Sequence, residues 1–577
     1  MKFFIPVLSA VAFLTGGAAA LDNGVLLGET FGGPHGHKYS DLGIISPGQI
    51  VRNITIRAAP LENPAKQDEQ AQIQTSLSRV PALRLRVTLT GRNMNIHGQS
   101  TFEVYANPVV SEDNTLRYDG FADFVQDNSR FSYMLVDGVS YMVETSISDS
   151  ASTTAQKVHC LPSILPFENM LPALNSISPI PSASIGGKAV ECPNDSLFQT
   201  YFGGVQFVLC SSGSSGFTAY GLDVTMSAEY LQNPIRNMSV AMLKDVRSCP
   251  VVVKSAPVTS AGLALLTGEA LPPVSRNLKE AISISIQEDR CECKSTPRPC
   301  IFLHGLGNPN ERPDLQDSPK LTKEKFGDIG DHAPCCTTVK YAVLNTNDAG
   351  WTDDTLMQKF CNFSLSMSAT SDAASGTISD TIIVTHSMGG VVMANALATG
   401  KCKFADTTSW VSLSAPMKGS MAGDYIQELC DDEASTIAAP LLQWVGQCSV
   451  FAARKSISYE GGKYSNPALD AAYKKAQEAY RLNVDAAMCS DFYDGVLSKF
   501  YLSCIVGGTV IPHKSSKNDG LVEFQSCLGG LDPNMFGDSY EYKFYRPVLN
   551  HADTAFLTHD SLFRDSQKPF KWFECLL

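Results

Sequence analysis

A chain of 577 residues is longer than one hydrophobic core serves, so two or more domains are expected, and its 44% hydrophobic content is that of an ordinary globular protein. The formal net charge of -13, with no clusters of Lys and Arg, excludes nucleic acid and anionic membrane surfaces as principal partners. No stretch beyond residue 20 approaches the roughly 20 apolar residues of a membrane helix, so no transmembrane span is expected there.

Residues 1–20 carry Lys2, an apolar run over 3–14 and the small residues Ala18-Ala19-Ala20, the pattern of a secretory signal peptide. The protein is therefore expected to be secreted and extracellular. Seventeen cysteines in that setting point to disulfides, and the odd count leaves at least one without an intrachain partner. Cys291, Cys293 and Cys300, with the adjacent Cys335 and Cys336, have spacings a metal can use, but an oxidising route favours bridges. Asn53, Asn194, Asn237 and Asn362 stand in glycosylation triplets.

Residues 21–250 read as a β-rich antiparallel domain of unknown role. Residues 80–89 alternate as a strand, and 91–104 lead into a second. Residues 130–136 and 139–143 flank Asp137-Gly138, the strongest short hairpin signal. Residues 205–210 and 217–226 predict a third hairpin, and the Pro/Ser-rich stretch 161–184 a connection or flap. Residues 251–297 form a crossing segment.

From residue 298 short apolar runs alternate with helical patterns, the signature of a doubly wound, mainly parallel α/β sheet. Strands are predicted at 300–303, 338–344, 381–384, 410–414, 501–506 and 540–545, and helices at 353–367, 390–398 and 469–480. Residues 421–500 are expected to be a cap or lid insertion.

Within this half, Thr385-His386-Ser387-Met388-Gly389-Gly390 joins an apolar strand to a helix, as a nucleophile elbow does. Small residues there let a serine Oγ stand clear on a strained turn. The turn His304-Gly305-Leu306-Gly307 follows an early strand, and the N–H groups of Leu306 and Met388 are the natural pair to meet an oxyanion. His304 precedes the serine and reads as a brace of that turn. A serine needs a base, and the base a carboxylate to orient it. His513, His551 and His559 follow Ser387. His513 comes before Asp519, the candidate acid, which breaks the order serine, acid, histidine; His551 lies in the loop after the last strand, and His559 is the reserve, in an apparent helix.

The segments His304-Gly305-Leu306-Gly307, Thr385 to Gly390, Ser414-Ala415-Pro416-Met417-Lys418-Gly419-Ser420, Asn518-Asp519-Gly520-Leu521-Val522 and Asn550-His551-Ala552-Asp553 together resemble the successive motifs of secreted triacylglycerol lipases of the α/β-hydrolase fold. The resemblance covers about residues 298–577. It implies Ser387 as nucleophile, Asp519 as orienting acid, His551 as general base, and Leu306 with Met388 as oxyanion donors. Departures are Thr385, where the elbow has glycine, and the turn Ala415-Pro416-Met417-Lys418-Gly419. Some relatives hold calcium through an aspartate matching Asp553; a second ligand is not evident, a lone Asp553 reads as a helix cap, and neither metal nor cofactor is expected.

The function expected from these residues is hydrolysis of carboxylic esters, of lipids in the first instance, through an acyl-enzyme. A lipid acyltransferase, a thioesterase or a lipid-anchor deacylase would share the triad. A catalytically silent secreted binding protein would keep the fold without its chemistry. The partner is a lipid or other ester, with an interface as an open case.

Overall fold

The computed structural model describes residues 75–91, 94–126, 128–147, 156–161, 169–193, 196–233, 249–269, 283–287, 290–431, 448 and 450–577. The expected signal peptide, residues 1–20, and the candidate glycosylation sites Asn53, Asn194 and Asn237 lie outside them. The protein is mixed α/β, with an 11-stranded antiparallel sheet in its first half and a 7-stranded parallel sheet in its second. Both lie in one compact unit, Pro64–Leu577.

The first sheet is two meanders joined at Ala82–Leu89. On one side stand Thr101–Val110, Leu116–Gln126, Ser129–Val136, Val139–Ser146 and Gln156–Cys160; on the other, Val224–Leu231, Gly216–Tyr220, Val205–Ser211, Leu197–Phe202 and Ser178–Pro179. The Asp137-Gly138 turn has φ of 52° and 76° and places Val136 opposite Val139. Two positive φ values are what a two-residue turn needs to match strand twist, and Asp-Gly tolerates them. The predicted strand 217–226 is two strands. Gly221 N–H donates to Val224 O at 2.8 Å and turns the chain, so that Val224–Leu231 pairs with Ala82–Leu89. Part of the crossing segment also belongs here: Leu265 and Leu266 of the helix Ser260–Thr267 are buried in the first sheet's core, and Ile284–Ile286 pairs with Ala183–Ile185.

The second sheet runs Cys336–Tyr341, Arg298–Leu303, Ile382–His386, Ser409–Leu413, Ala486–Met488, Phe544–Tyr545, Phe536–Gly537, parallel throughout. Residues 300–303, 382–386 and 409–413 of its central strands are all buried because both faces are covered. Ile301 and Leu303 pack with Met388–Ala398 and Pro467–Asn483, while Cys300 and Phe302 face Phe556, Trp572 and Phe573.

Three expectations fail here. Residues 501–506 belong to a helix, Tyr501–Val510, and the fifth strand is Ala486–Met488, inside the segment assigned to a cap. A six-residue apolar run does not distinguish strand from buried helix. Tyr501 and Leu497 pack on Met142 and Leu161 of the first half, and this contact favours the helix. Of residues 421–500, the helix Pro467–Asn483 packs with the elbow helix, leaving Met421–Asp431 and Ala452–Ser456 beside the site. His559 is not helical; it lies in an irregular stretch after the single turn Asp553–Ala555.

All seventeen cysteines are accounted for. Eight bridges join Cys160–Cys249, Cys192–Cys210, Cys291–Cys575, Cys293–Cys335, Cys300–Cys336, Cys361–Cys402, Cys430–Cys448 and Cys489–Cys527, and Cys504 is free and buried. Each bridge lies wholly before residue 250 or wholly after 290. No helix of the described residues is long and apolar enough to cross a membrane.

Burial pushes the Cys504 thiol well above its ordinary range. An aromatic disulfide reagent is therefore expected to find no reactive thiol in the native chain and one per chain in unreduced, denatured protein. Two or more in the denatured sample would contradict the pairing.

Candidate active site

The site is built outward from the elbow. All five residues of the strand Ile382–His386 are buried, and the helix Met388–Ala398 begins one residue after it. Between them Ser387 has φ 54° and ψ -132°, a conformation that costs a non-glycine residue about 1–3 kcal/mol. Two backbone bonds hold it. Ser387 N–H donates to Leu413 O of the neighbouring strand at 2.9 Å, and Ser387 O accepts from Gly390 N–H at 2.9 Å. A Cβ on Gly389 would meet Leu303 O at 2.7 Å and His304 O at 2.8 Å, so the helix reaches the sheet only because that position is bare. Thr385, bulkier than the elbow pattern prefers, is accommodated: its hydroxyl accepts from the buried Trp410 Nε1 at 2.9 Å.

The structure brings His551 and Asp519 together. His551 Nδ1 lies 2.8 Å from Asp519 Oδ2, and both residues are buried. Asp519 Oδ1 accepts from Leu521 N–H at 3.0 Å and Val522 N–H at 2.8 Å, and Asp519 O accepts from His551 N–H at 2.9 Å. Burial works to raise the Asp519 carboxyl; the adjoining His551 ring and the two amides outweigh it, leaving the carboxyl below its ordinary range. An ionised carboxylate at Nδ1 makes that nitrogen the donor and leaves Nε2 as the acceptor. His551 and Ser387 line one cavity of about 60 Å³.

The loop carrying His551 is braced from below. Asp553 Oδ2 accepts from Asn550 N–H and Val496 N–H, each at 3.0 Å, and Oδ1 accepts from the Thr558 hydroxyl at 2.8 Å. Burial pushes this carboxyl up to about 7 against those donors. Asp553 therefore ties the loop to residue 496 and is not the helix cap expected. The His386 ring sits 4.6 Å from that of His551, and its Nε2 meets His551 O at 3.2 Å; burial holds it neutral.

The turn after the first strand lies against the elbow. A Cβ on Gly305 would fall 2.6 Å from Ser387 Cβ and 3.0 Å from Met388 N, and Leu306 lines the Ser387 cavity. His304 braces this turn. Its Nε2 accepts from Leu344 N–H at 3.1 Å, which leaves Nδ1 to donate to Gly305 O at 2.8 Å. The other late histidines are elsewhere: His513 Nδ1 pairs with buried Glu523 Oε1 at 2.8 Å, and His559 is buried and held neutral without lining the cavity. Asn362 is exposed on the helix Asp354–Leu365.

Two cavity residues carry no sequence signal. Lys325, from a loop, and Arg454, from the helix Ala452–Ser456, converge here. Burial lowers both, Arg454 lowers Lys325 further, and Arg454 Nε is buried without a hydrogen-bond partner among the described residues.

Burial drives the His304 pKa down to about 4, against about 6.5 when unfolded. As pH falls through that window the unfolded chain takes a proton that the folded chain refuses, so stability is lost at about 1.4 kcal/mol per unit. His304→Gln should reduce the loss between pH 7 and pH 5 by about 2 kcal/mol, read from urea midpoints. An identical decline in both proteins would contradict the buried, neutral ring.

No protein-family model matches the chain, and no curated protein matches it. Among solved structures the chain is similar to a lipase-esterase related protein from Clostridium acetobutylicum, at 15% identity and a TM-score of 0.20, over 35% of this chain and 78% of that one.

Proposed function

We propose that the protein is a secreted serine hydrolase of the α/β-hydrolase type that cleaves carboxylic esters, with lipid esters as its substrates. One observation carries the reading: strained Ser387 shares a cavity with His551, whose Nδ1 is held by buried Asp519. The eight disulfides support an oxidising, extracellular setting. In this proposal residues 298–577 do the chemistry, and the first half has a separate role.

With Nδ1 engaged by Asp519, His551 Nε2 takes the Ser387 proton as Oγ attacks the ester carbonyl. The oxyanion of the tetrahedral intermediate is met by Leu306 and Met388 N–H at the start of the elbow helix. The imidazolium, stabilised by Asp519, then returns the proton to the departing alkoxide. Water attacks the acyl-enzyme by the same route and releases the carboxylic acid and free Ser387. Leu306, Ile426, Ile457 and Leu557 give the cavity an apolar wall for an acyl chain. Lys325 and Arg454 offer an anionic group beside the ester a partner. An acyltransferase, thioesterase or lipid-anchor deacylase would use the same atoms with a different acceptor or leaving group.

Ser387→Ala should abolish both ester turnover and fluorophosphonate labelling. His551→Ala should reduce kcat by about five to six orders of magnitude, and Asp519→Asn by about 10⁴. His513→Ala and His559→Ala should stay within about tenfold of wild type. Assays on monoacylglycerols with and without a phosphate read the substrate class. Labelling that survives Ser387→Ala, or a loss that follows His559, would overturn the reading.

A further inference from the structure

The cavity that holds Ser387 and His551 is lined by two cationic side chains, Lys325 and Arg454, and neither has an ion pair or a side-chain hydrogen bond among the described residues. The acid in the same wall, Glu324, is engaged by Lys499. Arg454 lies over the Phe451 ring, its guanidinium carbon 5.3 Å from the centroid, an attraction that steadies the group without neutralising it. The Lys325 ammonium lies against the oxyanion turn. A Cβ on Gly307 would meet its Nζ at 2.9 Å.

Two like charges drawn together and partly out of water, with no anion between them, repel each other and lose solvation. Burial and then Arg454 lower Lys325 below its ordinary range, and the adjacent Glu324 offsets only part of this. Charge kept unpaired in this way costs the ligand-free fold stability, and such costs belong where a ligand supplies the missing partner. The groups are reachable: Arg454 Nε is sealed from solvent, but its two terminal nitrogens and Lys325 Nζ are not. A guanidinium presents paired N–H groups to two oxygens and an ammonium adds a point charge, a combination that suits phosphate. The wall at Ile426, Ile457 and Leu557 is apolar and suits the acyl chain, so the anion belongs to the alcohol side of the ester.

We propose that Lys325 and Arg454 form an anion subsite beside Ser387 for a phosphate on the alcohol portion of the ester, so that phosphorylated lipid esters, and not neutral glycerides, are the preferred substrates. The substrate assignment rests on the serine hydrolase reading; the subsite rests on the two cations alone. The chemistry at the carbonyl is unchanged. The ester C–O bond breaks as Ser387 Oγ takes the acyl group, the alkoxide receives the proton from His551, and the alcohol departs with its phosphate intact.

The test titrates full-length Ser387→Ala protein, which binds without turnover, with 1-O-octylglycerol 3-phosphate, an ether with no ester to cleave, with uncharged 1-O-octylglycerol, and with inorganic phosphate. One ether phosphate per chain is expected, bound about tenfold or more tighter than either other probe. Adding Lys325→Gln or Arg454→Gln should weaken it by about ten- to a hundredfold, the worth of a hydrogen bond between ions, and Lys325→Arg, which keeps the charge, by less. Thermal melts without ligand separate this role from a structural one, since removing an uncompensated charge should leave Tm unchanged or raised. Equal affinity for the two ethers, inorganic phosphate bound as tightly as the ether phosphate, or unchanged affinity in folded Lys325→Gln and Arg454→Gln would overturn the proposal. Fluorophosphonate labelling of the wild-type chain reports on the hydrolase reading separately. Labelled protein without a phosphate preference loses the subsite and keeps the hydrolase; phosphate binding by protein that does not label keeps the subsite and loses the substrate assignment.

Discussion

The left-handed backbone of Ser387 is the constraint on which the second half depends. A conformation that disfavours a side chain persists only where the surroundings over-determine it. Here the Leu413 carbonyl holds the Ser387 amide, and Gly389 and Gly305 let two segments approach within van der Waals distance of the turn. The parallel sheet supplies the Leu413 carbonyl only because Ser409–Leu413 lies in register beside Ile382–His386, with His386 opposite Leu413. Strand register, glycine placement and the orientation of one hydroxyl are thus a single arrangement.

The two buried aspartates near His551 divide the work by their hydrogen-bond partners. Asp519 faces an imidazole and two amides and is held ionised; Asp553 faces two amides and a hydroxyl with no cation and is pushed up. Only the first can orient a histidine and stabilise its protonated form. The second fixes the loop that delivers that histidine, since Gly495 packs so closely on Asp553 that a Cβ there would sit 2.0 Å from Oδ2.

Much of this was legible in residues whose local demands are narrow. Asp137-Gly138 announced its turn because few pairs tolerate two positive φ values, and the elbow was visible because strand, serine and paired glycines occupy six consecutive positions. Elements that owe their state to distant contacts were not. Ala486–Met488 has three residues and no period to read, and Tyr501–Val510 resembles a strand until Met142 and Leu161 are set against it. Adjacent Cys335 and Cys336 bond to Cys293 and Cys300, a choice that strand pairing makes and spacing does not reveal. Lys325 and Arg454 are likewise products of tertiary approach.

The central claim is that Ser387 Oγ forms a covalent bond to an acyl group under the control of His551 and Asp519. Rapid mixing with a short-chain ester, acid quench and peptide mass spectrometry observe that bond directly. The account predicts that the peptide containing Ser387 gains the mass of the acyl group within the first turnover, at up to one equivalent per chain. Ester consumption with the acyl group on another residue, or with no adduct at any quench time under conditions where deacylation limits turnover, would contradict it.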